Sequence, residues 1–312
     1  WTPQPDAGAL ADHPEGTEMT SSMLSGLHIL FIGGGNMAQA LIGGLVQAQP
    51  RIVDSLTVIE PFEATRKTLA NGLQIKAQSK GIVFNLFESL QAAQKTAGVS
   101  LVVLAVKPQQ INEVFAELHG SLRDQLCGGS AQAAWLSIAA GISTASLQQQ
   151  IGHGRVIRAM PNTPALIQEG VTGLFAADGV SPVTKDQAQS IMQAAGQVVW
   201  IEDESLMDAV TALSGSGPAY VFRFVEALTA AGQSLGLSAD QALALAKQTV
   251  KGAALLMDQS TEHPSVLRER VTSKGGTTAA ALASLDQNGF DEVISKALKA
   301  ARDRGVEMGK GA

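Results

Sequence analysis

From Leu27 to Ile32 the chain is almost wholly apolar, and Gly33 stops the run, which is short enough for a buried parallel strand and too short for a helix. Met37, Ala40, Leu41, Leu45 and Ala48 then recur at helical spacing through Asn36 to Ala48. The pattern repeats. Leu56 to Glu60 predicts a second strand, Glu63 to Asn71 a helix closed by Gly72, and Leu101 to Val106 another apolar strand, followed by Pro108 and a helix from Ile111 to Leu118. Trp135 to Ala139 and Val156 to Ala159 predict two further strands flanking a helix from Thr144 to Ile151. Between Gln74 and Ser100 the pattern is ambiguous, because Ile82 to Phe87 fits either a strand or the start of a helix. Strands alternating with helices predict an α/β fold, a Rossmann-type doubly wound parallel sheet over residues 27–202.

After about Ser205 the periodicity changes. Pro218 to Leu235, Ala239 to Met257, Thr277 to Leu285 and Glu292 to Met308 are rich in Ala and Leu at helical spacing, and no strand pattern separates them. Residues 203–312 are therefore expected to form an all-helical domain. Runs such as Ala242 to Ala246 make these helices apolar on more than one face, so a second copy of the chain is expected to cover them, ahead of packing within one subunit.

Composition narrows the function classes. With 312 residues, 45% hydrophobic and 16% charged, the chain can bury a substantial core. A net charge of -6 and the lack of a long Lys/Arg block argue against a nucleic-acid partner, and no apolar run approaches the ~20 residues of a membrane span. The first 26 residues are rich in Pro, Gly, Ser, Asp and Glu and lack a basic-then-apolar signal, so a flexible extension is expected; the chain opens on Trp1, and Met19 and Met23 are candidate starts. A single cysteine, Cys127, permits no intrachain disulfide and fits a cytoplasmic protein, while the histidines lack metal-ligand spacing, so no metal is expected.

The chemistry begins at Gly33-Gly34-Gly35-Asn36-Met37-Ala38, which fits the dinucleotide fingerprint G-x-G-x-x-A. Gly33 suits the tight turn, Gly35 the close approach of backbone to pyrophosphate, and Ala38 the packing of helix on strand. Glu60, closing the next strand, stands where a carboxylate accepts hydrogen bonds from ribose hydroxyls and repels a 2′-phosphate. Arg66, six residues on, offers that phosphate a partner instead, so NAD(H) and NADP(H) both stay open. Ala105-Val106-Lys107-Pro108 ends a strand on the side where doubly wound folds bind ligands; Lys107 there is either a cofactor contact or a surface lysine. Three later segments place hydroxyl and glycine residues at a strand end or before a long helix: Arg158 to Pro164, Leu213 to Tyr220 and Val271 to Thr278. Ser273 to Thr278 can offer backbone N–H groups and hydroxyls to a carboxylate, although ordinary N-capping explains any one segment by itself.

Taken in order, IGGGNMA, AVKP, RAMPNTP, SGSGPAY and VTSKGGTT resemble the pyrroline-5-carboxylate reductase family, and the likeness runs from about Leu27 to Met308. Lys274 stands where members of the family carry Pro, and the stretch from Gln74 to Ser100 is longer than theirs. The resemblance implies reduction of the C=N bond of 1-pyrroline-5-carboxylate by NAD(P)H to give L-proline. It implies that Ser273, Gly276, Thr277 and Thr278 hold the substrate carboxylate, with Ser273 and Thr278 the catalytic positions and Thr278 beside the ring nitrogen. Glu204 is implied near the substrate. Gly33, Gly34, Gly35, Asn36, Met37 and Glu60, with Ala105, Val106, Lys107, Pro108 and Ala140, are implied at the dinucleotide. Arg270 is implied to reach the cofactor of a partner subunit, and the helical domain to interlock two subunits in dimers that assemble further, commonly into decamers. A 3-hydroxyacid dehydrogenase of similar architecture is disfavoured because no lysine lies on an interdomain helix, and a non-catalytic NAD(P)H-binding protein has no need of the Ser273 to Thr278 loop.

Overall fold

A computed structural model describes residues 26–128 and 133–310, so all but the last residue of the expected N-terminal extension lie outside the described part. The apolar run Leu27–Ile32 is β1 and sits inside an eight-stranded sheet. Helix α1 (Asn36–Gln47) follows the glycine turn, then β2 (Val53–Ile59), α2 (Glu63–Leu69) and α3 (Ile75–Ser79), β3 (Val83–Phe87) and β4 (Leu101–Leu104). Next come α4 (Ile111–Glu117), α5 (Gly120–Cys127), β5 (Ala134–Ser137), α6 (Thr144–Ile151), β6 (Val156–Met160), β7 (Gly170–Ala176), α7 (Pro182–Gln193) and β8 (Gly196–Trp200). The strand order is β3-β2-β1-β4-β5-β6-β7-β8. Because β1 lies between β2 and β4, the order reverses beside it, and that reversal opens a crevice at the carboxyl ends of the strands. The central strands β1, β4 and β5 are buried almost throughout, as a sheet covered by helices on both faces requires.

One expectation needs correction, one open stretch is resolved, and one strand pair departs from the parallel pattern. Gly72 does not close a helix: it lies within a π turn, Ala70–Gln74, that carries α2 on into α3, and the segment ends at Gly81, whose φ is 72°. The ambiguous stretch resolves as a strand, since Ser55 to Ile59 of β2 pair with Val83 to Phe87. The sheet is not wholly parallel: β6 and β7 run antiparallel. Only residues 161–169 separate them, and a parallel return needs a crossover of roughly a dozen residues or more.

From Glu204 onward the chain is helical: a short turn at Glu204–Leu206, α8 (Met207–Val210), α9 (Gly217–Ser234), α10 (Ala239–Asp258), α11 (Pro264–Arg270), α12 (Thr277–Gln287) and α13 (Phe290–Lys310). Helix α8 packs on the sheet, where the side chain of Val210 fills the space left by Gly173 of β7. The longer helices have almost no core of their own. Only Ala242 and Ala246 are buried on α10, and no residue is buried on α9, α11 or α12. Large apolar side chains on these helices stay open, from Leu228 at 36% exposed to Phe222 at 64%. Among the described residues no helix is long and apolar enough to cross a membrane.

One contact fixes how α1 lies on the sheet layer. A Cβ on Gly44 would fall on the carbonyl oxygen of Ala194, just past α7, whereas a Cβ on Gly43 would meet Leu73 at an ordinary 3.6 Å. Gly44→Ala is therefore expected to destabilise the chain by about 3 kcal/mol or to abolish folding, and Gly43→Ala to be neutral or slightly stabilising through helix propensity. Urea unfolding of the two variants side by side checks this; equal midpoints would contradict the close approach.

Candidate functional site

The crevice beside β1 is a cleft of about 930 Å³, and its floor is the glycine turn. Gly33 has φ 102°, and a Cβ on it would lie 2.6 Å from the carbonyl oxygen of Ala105, so only glycine passes here. Gly34 is packed from behind by Leu69 and donates its N–H to Glu60 Oε2 at 2.9 Å. Gly35 faces the other way, with nothing within 4 Å of the place a Cβ would take. It is the N-cap of α1, and no side chain caps that helix. The first N–H groups of α1 thus point at the cleft without a side-chain partner, which is the arrangement that takes an anionic pyrophosphate. An added Cβ at Gly35 would occupy the space a phosphate needs, so the residues present fit a dinucleotide.

The walls gather most of the expected contacts. Gly33, Gly35, Asn36 and Met37 line it, together with Ala105, Val106, Lys107 and Pro108 and with Ala140. Gly34 does not line it, because its amide is turned toward Glu60. Lys107 is exposed and begins the 3-10 turn Pro108–Gln110, so it stands at the cleft mouth. Glu88, Ser89 and Glu113, which sequence reasoning did not single out, also line the cleft; they follow β3 and lie on α4, and no local motif marks them.

Glu60 lines the cleft and also braces the glycine turn. It sits one residue beyond β2 and is 5% exposed, with Oε2 accepting the Gly34 N–H and Oε1 accepting the Phe62 N–H at 2.9 Å. Its carboxylate is thereby a rigid strut for the glycine turn as well as a wall of the cleft. Arg66 donates to the carbonyl oxygens of Glu60 and Pro61 at 2.8 and 2.6 Å, so its guanidinium is folded against the same turn.

Besides Gly34, six expected residues lie outside this cleft: Glu204, Arg270, Ser273, Gly276, Thr277 and Thr278. The Glu204 carboxylate accepts the backbone N–H of Thr144 at 2.7 Å and its hydroxyl at 2.6 Å, and pairs with Arg158 at 3.4 Å. Its position at the N-terminus of α6, beside a buried guanidinium, leaves both of its oxygens engaged within the chain. Arg270, at the end of α11, pairs with Glu262. The loop before α12 turns at Gly275 (φ 73°), and the Gly276 N–H donates to the Ser273 carbonyl oxygen at 3.0 Å. Gly276 is the N-cap of α12, no side chain caps that helix, and its first helical bond runs from the Ala280 N–H to Gly276. The N–H groups of Thr277, Thr278 and Ala279 are thus left without an intrahelical partner.

Two of the three hydroxyl- and glycine-rich segments meet. Asn162, buried, donates to the Ser214 carbonyl oxygen at 3.1 Å and accepts the Val171 N–H at 2.9 Å, while Met160 packs where Gly215 leaves room. Arg158, quoted within its motif but given no role, proves to be an anchor between sheet and helices. A charged residue in the middle of an apolar strand was the available signal.

Two family models match, one described as pyrroline-5-carboxylate reductase dimerisation over residues 204–308 and one as NADP oxidoreductase coenzyme F420-dependent over residues 28–127. The chain is 42% identical to a pyrroline-5-carboxylate reductase of Pseudomonas aeruginosa over 282 residues, 90% of this chain and 96% of that one. It is 41% identical to the enzyme of that name from Haemophilus influenzae, over 90% of this chain and 97% of the other. The structure is similar to a pyrroline-5-carboxylate reductase from Coxiella burnetii, with TM-score 0.76 and 37% identity over 90% and 98% of the two chains. It also resembles the Plasmodium falciparum pyrroline carboxylate reductase with NADP bound, with TM-score 0.73 and 28% identity over 92% and 99%. At this identity and coverage, with a fold and a glycine-floored cleft to match, the chain belongs to the pyrroline-5-carboxylate reductase family.

Proposed function

We propose that this chain reduces 1-pyrroline-5-carboxylate to L-proline with NADH or NADPH. The observation that carries the reading is the glycine turn, whose open Gly35 and uncapped helix α1 prepare a dinucleotide site in a chain of this family. The bound nicotinamide supplies the hydride that adds to the C=N carbon. An iminium is already a strong hydride acceptor, so the protein's task is orientation and a hydrogen-bond partner at nitrogen. The N–H groups of α1 hold the pyrophosphate, Lys107 lies at the cleft mouth, and Ala140 flanks the end where the reaction takes place. Ser273, Gly276, Thr277 and Thr278 hold the substrate carboxylate, and the Thr278 hydroxyl stands beside the ring nitrogen. Since this loop lies outside the cleft of its own chain, the loop of one subunit closes the cleft of another, with Arg270 beside it. The open apolar faces of α9, α10 and α13 support that division of the site. Residues 27–202 then carry the cofactor and residues 203–312 the substrate loop and the subunit contact, in cytoplasmic dimers that associate further into decamers.

Purified protein is expected to consume reduced cofactor on addition of pyrroline-5-carboxylate and to yield proline; no proline with either cofactor would overturn the assignment. The unaltered chain is expected to be a dimer or larger by light scattering, and Leu245→Asp, placed at a position 58% exposed in one chain, to shift it toward monomer and reduce turnover. An unchanged oligomer would mean that this face meets solvent. Thr278→Ala is expected to lower kcat/KM tenfold to a hundredfold, the equivalent of a charge-linked hydrogen bond of ~1.5 to 3 kcal/mol, with cofactor affinity nearly constant. Near-normal turnover with a lower Tm would instead reduce Thr278 to support of the first turn of α12. Glu60→Gln removes the charge but keeps an acceptor for one backbone N–H, and is expected to raise the NADPH-to-NADH ratio of kcat/KM roughly tenfold, about 1.4 kcal/mol of relieved repulsion. A constant ratio in a well-folded variant would show that the carboxylate does not face the 2′ position.

A further inference from the structure

The segment joining β5 to α6 supplies Ile138, Ala139 and Ala140 to the cleft, and elements of the helical region grip it from both sides. On one side Glu204 takes the N–H and the hydroxyl of Thr144, the residue that begins α6. Glu204 is itself bridged to Asp208 by Arg158, whose side chain is 8% exposed and lies 3.4 Å from each carboxylate. On the other side the end of α13 meets the segment backbone to backbone. A Cβ on Gly309 would lie 2.7 Å from the Gly141 carbonyl oxygen, and one on Gly141 (φ 76°) would lie 3.3 Å from the Gly309 nitrogen. One turn earlier on α13, a Cβ on Gly305 would lie 3.3 Å from Asp208 Oδ1, which returns the chain of contacts to Arg158. The contacts form a closed ring through the Gly141 to Thr144 segment, Glu204, Arg158, Asp208 and α13.

A buried cation between two carboxylates adds little net stability over well-packed apolar residues, because desolvation offsets the attraction. What it does is fix geometry, and the geometry it fixes is the segment that ends the cleft. We propose that Glu204 is a positioning residue for the cofactor: with Gly309 it holds the Ala139–Ala140 edge of the cleft in its binding shape, so that the helical region sets dinucleotide affinity. The proposal rests on the cleft being the nicotinamide dinucleotide site, and it assigns Glu204 to cofactor affinity instead of substrate contact. A loosened segment must be ordered again on binding, and that ordering weakens affinity.

The test is direct titration of NADH and NADPH by cofactor fluorescence, without substrate, on the full chain and on Glu204→Gln, Gly309→Ala, Thr144→Val and Thr144→Ser. Glu204→Gln and Gly309→Ala are expected to raise the cofactor Kd roughly fivefold to twentyfold, while the KM for pyrroline-5-carboxylate stays within about twofold and light scattering shows an unchanged assembly. Thr144→Val, which loses the hydroxyl bond and keeps the N–H bond, should weaken the cofactor less than Glu204→Gln, and Thr144→Ser should restore the unaltered Kd. A lower Tm with unchanged cofactor Kd in both Glu204→Gln and Gly309→Ala would overturn the proposal. So would a raised KM for the imino acid with normal cofactor Kd, which would return Glu204 to the substrate. If Glu204→Gln fails to fold, Gly309→Ala and the two Thr144 variants decide by the same criterion. Because the titration contains no substrate, a chain that binds cofactor and makes no proline would sink the proposed activity and leave this test standing.

Discussion

Gly33 passes so close to the Ala105 carbonyl that no side chain fits between β1 and the segment after β4, and the site is arranged around that approach. It brings the ends of two neighbouring strands together at the point where the sheet order reverses, and the turn that follows must start a helix with its N–H groups facing outward. Glu60 holds the turn from behind by accepting the Gly34 amide, leaving Gly35 to face the cleft. Three adjacent glycines thus meet three different demands: a positive φ against a backbone carbonyl, packing against Leu69 and Glu60, and open space for a ligand.

The helical region answers a different constraint. Its long helices are apolar on faces that the single chain leaves open, so their stability depends on another copy of the chain. Once subunits must meet for the helices to be covered, a loop carried on those helices can serve a neighbour's cleft without any extra element. Within one chain, Arg158 of β6 ties the sheet to Glu204 and Asp208 at the start of the helical region.

Much of this was legible in the chain. β1, the glycine turn and α1 could be read because an apolar strand, a glycine triplet and helical spacing follow one another without interruption. β7 and β8 were missed for physical reasons: β7 carries two glycines that weaken its strand pattern, and β8 is a half-exposed edge strand beginning at Gly196. Gly72 misled because glycine commonly ends a helix, whereas here a π turn absorbs it and the segment runs on to Ser79. Among the site residues, Gly33, Gly35, Asn36 and Met37 and the segment from Ala105 to Pro108 line the cleft, next to the strand ends that the pattern marked. The contacts of Glu204 were not legible, because nothing local to a Glu after an Asp reveals that Thr144 and Arg158, far away in sequence, engage its two oxygens.

The chemistry explains why so many of these residues position and so few react. Hydride transfer to an iminium needs no metal and no strong acid, so the rate depends on distance and alignment between two bound molecules. A misplacement of about 1 Å at either end of the cleft therefore costs on the order of a hundredfold in rate. The turn at Gly33 fixes the phosphate end against a backbone carbonyl that cannot retreat, and a buried guanidinium with a glycine-to-glycine helix contact fixes the other end. Neither device touches the reacting atoms. If the loop before α12 holds the substrate as proposed, it comes from a separate helical region, and a rigid cofactor cleft is what keeps the two halves of the site in register.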